Sequence, residues 1–168
     1  MADVFSKQKR SAVMSRIRSR GNAATELALA KLLRRHNITG WRRQIELSVR
    51  GSRGDEAQIK NRKPAIENRK LLGASSRRLL RVKVDFVFRQ ARLAVFVDGC
   101  FWHGCPRHGT QPKGNAAFWR NKISRNQARD RRVNRALRRA NWRVVRIWEC
   151  ALHKRPQSCV HRICRALA

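Results

Sequence analysis

The chain has 168 residues, enough for one domain with a core of its own, and carries 41 Lys and Arg against 10 Asp and Glu, a formal net charge of +31. So large an excess makes a polyanion the natural partner, because a line of phosphates releases its condensed counterions when it is neutralised. A membrane is excluded as partner, since no stretch approaches the roughly 20 consecutive apolar residues of a spanning helix and no lipid-binding amphipathic helix dominates.

Met1 to Lys7 has no apolar run behind its charges, so it does not read as a secretory signal, and a cytoplasmic protein is expected. Ser6 to Arg20 is a basic arm whose large apolar residues are Val13, Met14 and Ile17. Asn22 is an expected N-cap, followed by a helix from Ala23 to His36. In it Ala24, Ala28 and Leu32 form one i,i+4 row, with Leu29 and Leu33 beside it. Trp41 to Leu47 reads as a strand. Ser48 to Arg81 holds ten Lys or Arg among Gly, Ser and Asn, and reads as an inserted basic loop with a short helix around Ala65 to Leu72. Two neighbouring strands follow, Val82 to Phe88 and Leu93 to Val97, joined by a turn over Arg89 to Arg92. Asn115 to Ala140 is expected to be a long helix broken near Ser124 to Gln127. A strand from Trp142 to Trp148 and a final helix from Gln157 to Leu167 complete the order. The chain is therefore expected to be an α/β domain with a central sheet. It divides into a basic DNA-binding arm over 1–21 and a single domain over 22–168, with the inserted loop at 48–81.

At the end of the second of the two neighbouring strands comes the run Val97-Asp98-Gly99-Cys100-Phe101-Trp102-His103-Gly104-Cys105-Pro106-Arg107-His108. Thiols, imidazoles, a carboxylate and a Gly/Pro-rich turn do not combine in ordinary core segments. Cys100, Cys105 and His108 have the spacing C-x4-C-x2-H, and Cys150 lies just past the last strand. Three thiolates and one imidazole make a closed tetrahedral structural zinc site, with His103 as the rival fourth ligand. Five Cys, an odd number, fit a reduced compartment better than a disulfide framework. Cys159 and Cys164 are expected to pack in the core.

Acidic residues are scarce enough for their positions to carry information. Asp85 sits inside a run of Val and Phe, where an unpaired buried carboxylate would be strongly unfavourable. Asp98 closes the next strand, so the two carboxylates can converge at one end of a sheet and hold Mg²⁺, or each can pair with an arginine. His103 can take a proton from an attacking water, and Asp130 can orient its ring or pair with a neighbouring arginine. Glu26 is either functional or a favourable first-turn charge.

At this point the residues become familiar. The chain resembles the very short patch repair (Vsr-type) mismatch endonucleases. The resemblance runs through the opening Met-Ala-Asp-Val, Arg10-Ser11 with Met14, Thr25-Glu26, Val84-Asp85-Phe86-Val87 and Val97-Asp98-Gly99-Cys100-Phe101-Trp102-His103. It continues through Phe118-Trp119, Arg129-Asp130-Arg131-Arg132, a Gly-like Asn141 before Trp142-Arg143-Val144, and Trp148-Glu149-Cys150. It implies a restriction-endonuclease-like fold, with a central mixed β-sheet flanked by helices. The implied activity is a Mg²⁺-dependent nick 5′ of the thymine in a T·G mismatch in double-stranded DNA, made by a monomer. It further implies that Asp85 binds Mg²⁺ with the Val97 carbonyl, that His103 is the base with Asp130 behind it, and that Glu26 assists through water. Phe101, Trp102 and Met14 would wedge between base pairs beside the mismatch. Asp98 occupies a position that is His or Asp in the family, so proton transfer and metal binding both stay open for it. The alternative is a zinc-stabilised DNA-binding protein without cleavage activity. A basic RNA or ribosome-associated protein would account for the charge but not for Asp85.

Overall fold

The apolar runs of the chain become strands β1 (Trp41–Arg50), β2 (Leu79–Phe88), β3 (Leu93–Asp98) and β4 (Arg143–Trp148) of one sheet. The strands lie in the order β1-β2-β3-β4. β1, β2 and β3 run antiparallel in turn, whereas β4 joins β3 in parallel. This computed structural model describes residue 8 and residues 23–50, 79–110, 112 and 114–168. The N-cap expected at Asn22, Met14, most of the arm at 1–21 and the helix expected over 65–72 lie outside the described residues. Helices are α1 (Ala28–Arg35), entered through a wide π-helical turn over Ala23–Leu27, then α2 (Ala116–Arg139), α3 (Glu149–Lys154) and α4 (Pro156–Leu167).

Both faces of the sheet are covered, which is why its central strands read as nearly continuous apolar runs. Leu29 and Leu33 of α1 and Cys159 and Ile163 of α4 pack on one face with Phe86, Phe88, Leu93, Val95 and Ile147. Ala136 and Leu137 of α2 pack on the other with Val82, Val84, Val87, Ala94 and Phe96. A mixed sheet flanked by helices is the α/β architecture expected of a restriction-endonuclease-like domain. The inward alternation of β2 changes sides at Asp85: Phe86 and Phe88 belong to the first core, Val84 and Val82 to the second. β1 makes the same switch between Trp41 and Ile45. There Gln44 takes a left-handed φ of +55°, at the step where the register skips from Arg43↔Phe86 to Ile45↔Val84 and leaves Gln44 and Asp85 unpaired in the ladder.

Four expectations need correction. The β1–β2 ladder runs past Leu47 and Val82, since Ser48, Val49 and Arg50 pair with Arg81, Leu80 and Leu79. Val49, at 4% exposure, is part of the core that fixes this pairing. In α1 Leu29, Ala30 and Leu33 are buried while Ala28 and Leu32 stay half-buried against the same core, so the buried face is turned away from the Ala28–Leu32 row. α2 is unbroken over its 24 residues. Ser124 to Gln127 contains neither Gly nor Pro, and its polar side chains serve the neighbouring loop. Cys164 is exposed although Cys159 is buried. Positions five apart on an α-helix point roughly 140° away from each other, so both cannot enter one core.

Candidate active site and metal cluster

Because β3 and β4 are parallel, the loops that leave them emerge from the same end of the sheet, and this brings distant residues together. The β3 loop carries Cys100, Cys105 and His108, and the first turn of α3 carries Cys150. Ligand atoms of these four residues all lie within 4.8 Å of one another. The Cys105 and Cys150 sulfurs are 3.8 Å apart, which matches the edge of a tetrahedron with Zn–S bonds of about 2.3 Å. The loop is wound tightly around this point. Cys105 N donates to Cys100 O (2.9 Å), Gly109 N to Cys105 O (2.7 Å) and His103 N to Gly99 O (3.2 Å). Glu149 Oε2 accepts from Cys100 N at 3.2 Å.

The thiols ionise unequally. Burial opposes ionisation of Cys105, but N–H groups of Arg107 and His108 donate to its sulfur, and the His108 and Cys150 side chains help to bring it down to about 7. Burial pushes Cys100 up to about 12, and its neighbouring sulfurs oppose a second negative charge. Three thiols and an imidazole gathered around one point are a donor set consistent with a zinc site.

Asp98, His103 and Asp130 form a second cluster, again with ligand atoms within 4.8 Å of one another and thus close enough to share a cation. His103 is not with the sulfurs. Its Nδ1 lies 2.6 Å from Asp130 Oδ2 and 3.6 Å from Asp98 Oδ1. Gly104, at φ +63°, lets the loop press on α2: a Cβ there would meet Gln127 Nε2 at 2.6 Å and Ile123 Cγ2 at 2.9 Å. α2 then ties the loop down, with Asn126 Nδ2 donating to Trp102 O (2.8 Å) and Gln127 Nε2 to His103 O (3.3 Å). Burial works against ionisation of Asp130, but the His103 hydrogen bond and the Arg146 charge outweigh it and hold its pKa below the usual carboxylate value. Asp130 also approaches Arg129 (3.7 Å), the neighbour contact considered for it.

For Asp98 the arginine pair is what is observed. Arg146 of β4 donates from Nε to Oδ2 at 2.7 Å and from the terminal nitrogen Nη2 to Oδ1 at 2.6 Å. Burial disfavours the guanidinium charge, yet Asp98 and Asp130 outweigh this and raise its pKa.

Asp85 has a different setting. Its Oδ2 accepts the Val97 backbone N–H at 2.8 Å. Burial raises its pKa from 3.8 to about 6; the Val97 bond opposes this, and the charges of Glu26 and Asp98 add to it. Glu26 is 7% exposed and pairs with Arg43 at 3.2 Å. Asp85 is thus a half-buried carboxylate within reach of other carboxylates, an electrostatic setting suited to a cation.

Phe101 and Trp102 are half-buried and meet edge to face, with centroids 5.1 Å apart. Trp119 of α2 completes a triangle at 5.1 and 6.0 Å. Phe118, 60% exposed, touches Trp119 at 5.2 Å. None of these rings belongs to either core cluster, so they are a surface feature and not packing of the interior. Met14 lies outside the described residues. Sequence reasoning passed over Arg146 and gave Trp119 no role. A strand Arg amid Val and Ile was the signal for the first, and an aromatic pair opening an Arg-rich helix the signal for the second.

Among the described residues no helix is long and apolar enough to cross a membrane. Residues 57–108 match the family model described as DNA mismatch endonuclease Vsr. The type II nicking enzyme V.NaeI of Lentzea aerocolonigenes is 54% identical over 70 residues, covering 42% of each chain. The type II nicking enzyme V.XorIIP of Xanthomonas oryzae pv. oryzae is 49% identical over 70 residues, 40% of this chain and 51% of that one. The DNA mismatch endonuclease Vsr of Escherichia coli (strain K12) is 42% identical over 72 residues, 42% of this chain and 46% of that one. The chain spans about half the length of the curated relatives it matches.

Proposed function

We propose that this relative of the Vsr DNA mismatch endonucleases and type II nicking enzymes is a Mg²⁺-dependent endonuclease. It would nick one strand of double-stranded DNA by phosphodiester hydrolysis, 5′ of the thymine in a T·G mismatch. The observation that carries this reading is the 2.6 Å contact of His103 with Asp130, at the sheet end where Asp85 stands without an arginine fork.

With Nδ1 donating to Asp130, a neutral His103 ring has Nε2 free as the acceptor for the proton of an attacking water. The cation would sit at Asp85, with the Val97 carbonyl beside it and Glu26 reached through water. When bound it would supply charge stabilisation to the phosphoryl oxygens. Cys100, Cys105, His108 and Cys150 would hold Zn²⁺ and brace the loop that carries His103. Asp98 would not be a ligand, because the half-buried guanidinium of Arg146 already compensates it and repels a second cation.

Phe101, Trp102 and Trp119 form a rigid aromatic ridge suited to unstacking a base step, and a mispair lowers the energy of doing so. Met14 would add to this ridge from the basic arm over 1–21. Both the arm and the insert within 48–81 would neutralise backbone phosphates without reading bases.

The test is incubation with Mg²⁺ of a T·G duplex beside its T·A counterpart. A nick confined to the T·G duplex, reduced about 1,000-fold or more by Asp85→Ala, is the expected result. A nick on both duplexes would move the specificity from the mismatch to sequence context, as the names of the nicking enzymes invite. Tight duplex binding without product would favour the DNA-binding alternative.

A further inference from the structure

One densely bonded side chain near the site is used by neither the proposed metal chemistry nor the proton transfer. Arg146 is 19% exposed. Its Nε and Nη2 grip both oxygens of Asp98 at 2.7 and 2.6 Å. Nη2 also reaches Asp130 Oδ1 at 3.1 Å, and Nη1 donates to Asn134 Oδ1 at 3.2 Å. The Phe96 ring covers the guanidinium, 4.9 Å from its carbon. These contacts take up four of the five N–H groups of Arg146, so its charge is directed at the two carboxylates.

Two carboxylates face the same ring nitrogen of His103, Asp130 at 2.6 Å and Asp98 at 3.6 Å. Either is a competent acceptor, and the two bonds would place the ring differently. We propose that Arg146 is a positioning residue that settles this competition. Its bidentate grip holds Asp98 back, and its bond to Asp130 aims that carboxylate at His103. Remove the fork, and Asp98 is free to draw the imidazole away from Asp130. A shift of the order of 1 Å in a catalytic group lowers a rate about 100-fold. Lysine cannot substitute, because it lacks the planar fork that holds two oxygens of one carboxylate and one of another.

This rests on His103 being the base of the proposed reaction, so the test has one arm that needs no activity. In the zinc-loaded full-length protein, the ring Nδ1 proton of His103 is followed by ¹H–¹⁵N NMR. It is expected at low field in the wild type, lost from that position in both Arg146→Gln and Asp130→Asn, and restored in the double variant Asp98→Asn with Arg146→Gln. The second arm measures single-turnover nicking of whichever duplex the wild type cleaves. Arg146→Gln is expected to slow the chemical step about 100-fold while KM for DNA moves less than about threefold. Arg146→Lys is expected to stay impaired, and the double variant to recover about tenfold over Arg146→Gln, because the competing carboxylate is gone. If Arg146→Gln fails to retain zinc, the Lys and double variants carry the comparison. A wild type silent on every duplex would sink the nuclease reading, and the NMR arm would still decide the positioning claim. The claim itself is overturned if the Nδ1 resonance is the same in Arg146→Gln as in the wild type. It is also overturned if a zinc-loaded double variant is no faster than the single one.

Discussion

The loop after β3 serves two clusters, and they balance charge in opposite ways. On one side Cys100, Cys105, His108 and Cys150 gather three thiols and an imidazole, with Lys154 Nζ 3.2 Å from His108 Nε2, a donor set consistent with a metal ion as the balancing charge. On the other side Asp98 and Asp130 have Arg146 between them, so the chain itself does it. The first cluster can therefore be emptied by chemistry, whereas the second can be broken only by mutation. Asp85 belongs to neither type. It is half-buried where Asp98 is buried, and held by one backbone N–H where Asp98 has a guanidinium.

The sharpest way to break this contrast is at the sulfurs. Cys150→Ser, or a zinc chelator, is expected to remove the metal and lower the unfolding temperature by about 10 °C or more, because metal binding and folding of the loop are linked. Metal analysis beside thermal unfolding would check it, and unchanged metal content would refute the ligand set. His103→Ala should leave zinc in place yet lower the nicking rate about 100- to 10,000-fold, the usual worth of a positioned general base. Equal losses of zinc and activity would mean that the two clusters are one.

Within the carboxylates, Asp98→Ala takes the two shortest bonds from the half-buried Arg146 guanidinium, leaving it Asp130 and Asn134, and should destabilise the fold by about 3 kcal/mol in denaturant titration. Asp85→Asn should do the reverse in Mg²⁺-free buffer. The folded pKa of about 6 stands above the unfolded 3.8, so ionised Asp85 weakens the native state as pH rises through that interval. The amide variant should match the wild type below pH ~4 and exceed it by roughly 3 kcal/mol above pH ~7. Wild-type stability that does not fall between those limits would show that Asp85 is already compensated. The smallest effect belongs to Glu46→Ala, whose partner Arg81 is 3.5 Å away and 77% exposed; it should change stability by less than about 0.5 kcal/mol.

Much of the site was legible in one dimension because its chemistry is local. Cys100, Cys105 and His108 announce a cation site by residue type and spacing, and an acid inside Val84-Asp85-Phe86 is conspicuous wherever the strand goes. Trp119 and Arg146 were harder to read. An arginine in a strand reads as solvent-facing until its neighbours are known, and here the neighbours come from β3 and α2. The expected break in α2 arose in the same way, because Asn126 and Gln127 look like helix interruptions and are in fact hooks for the loop.

The order of residues alone determined that the chain would seek a polyanion, that a loop near its middle would carry thiols and imidazoles, and that an acid would be trapped among valines and phenylalanines. These follow from side-chain chemistry, which does not depend on what lies opposite. Only the tertiary structure decided which acid an arginine grips and which is held by a backbone N–H. Parallel pairing of β3 with β4 sets Arg146 beside Asp98, and the packing of α2 brings Asp130 to the same point. The energy of a buried charge is set by its nearest partners, and in a folded chain those partners come from far along the sequence.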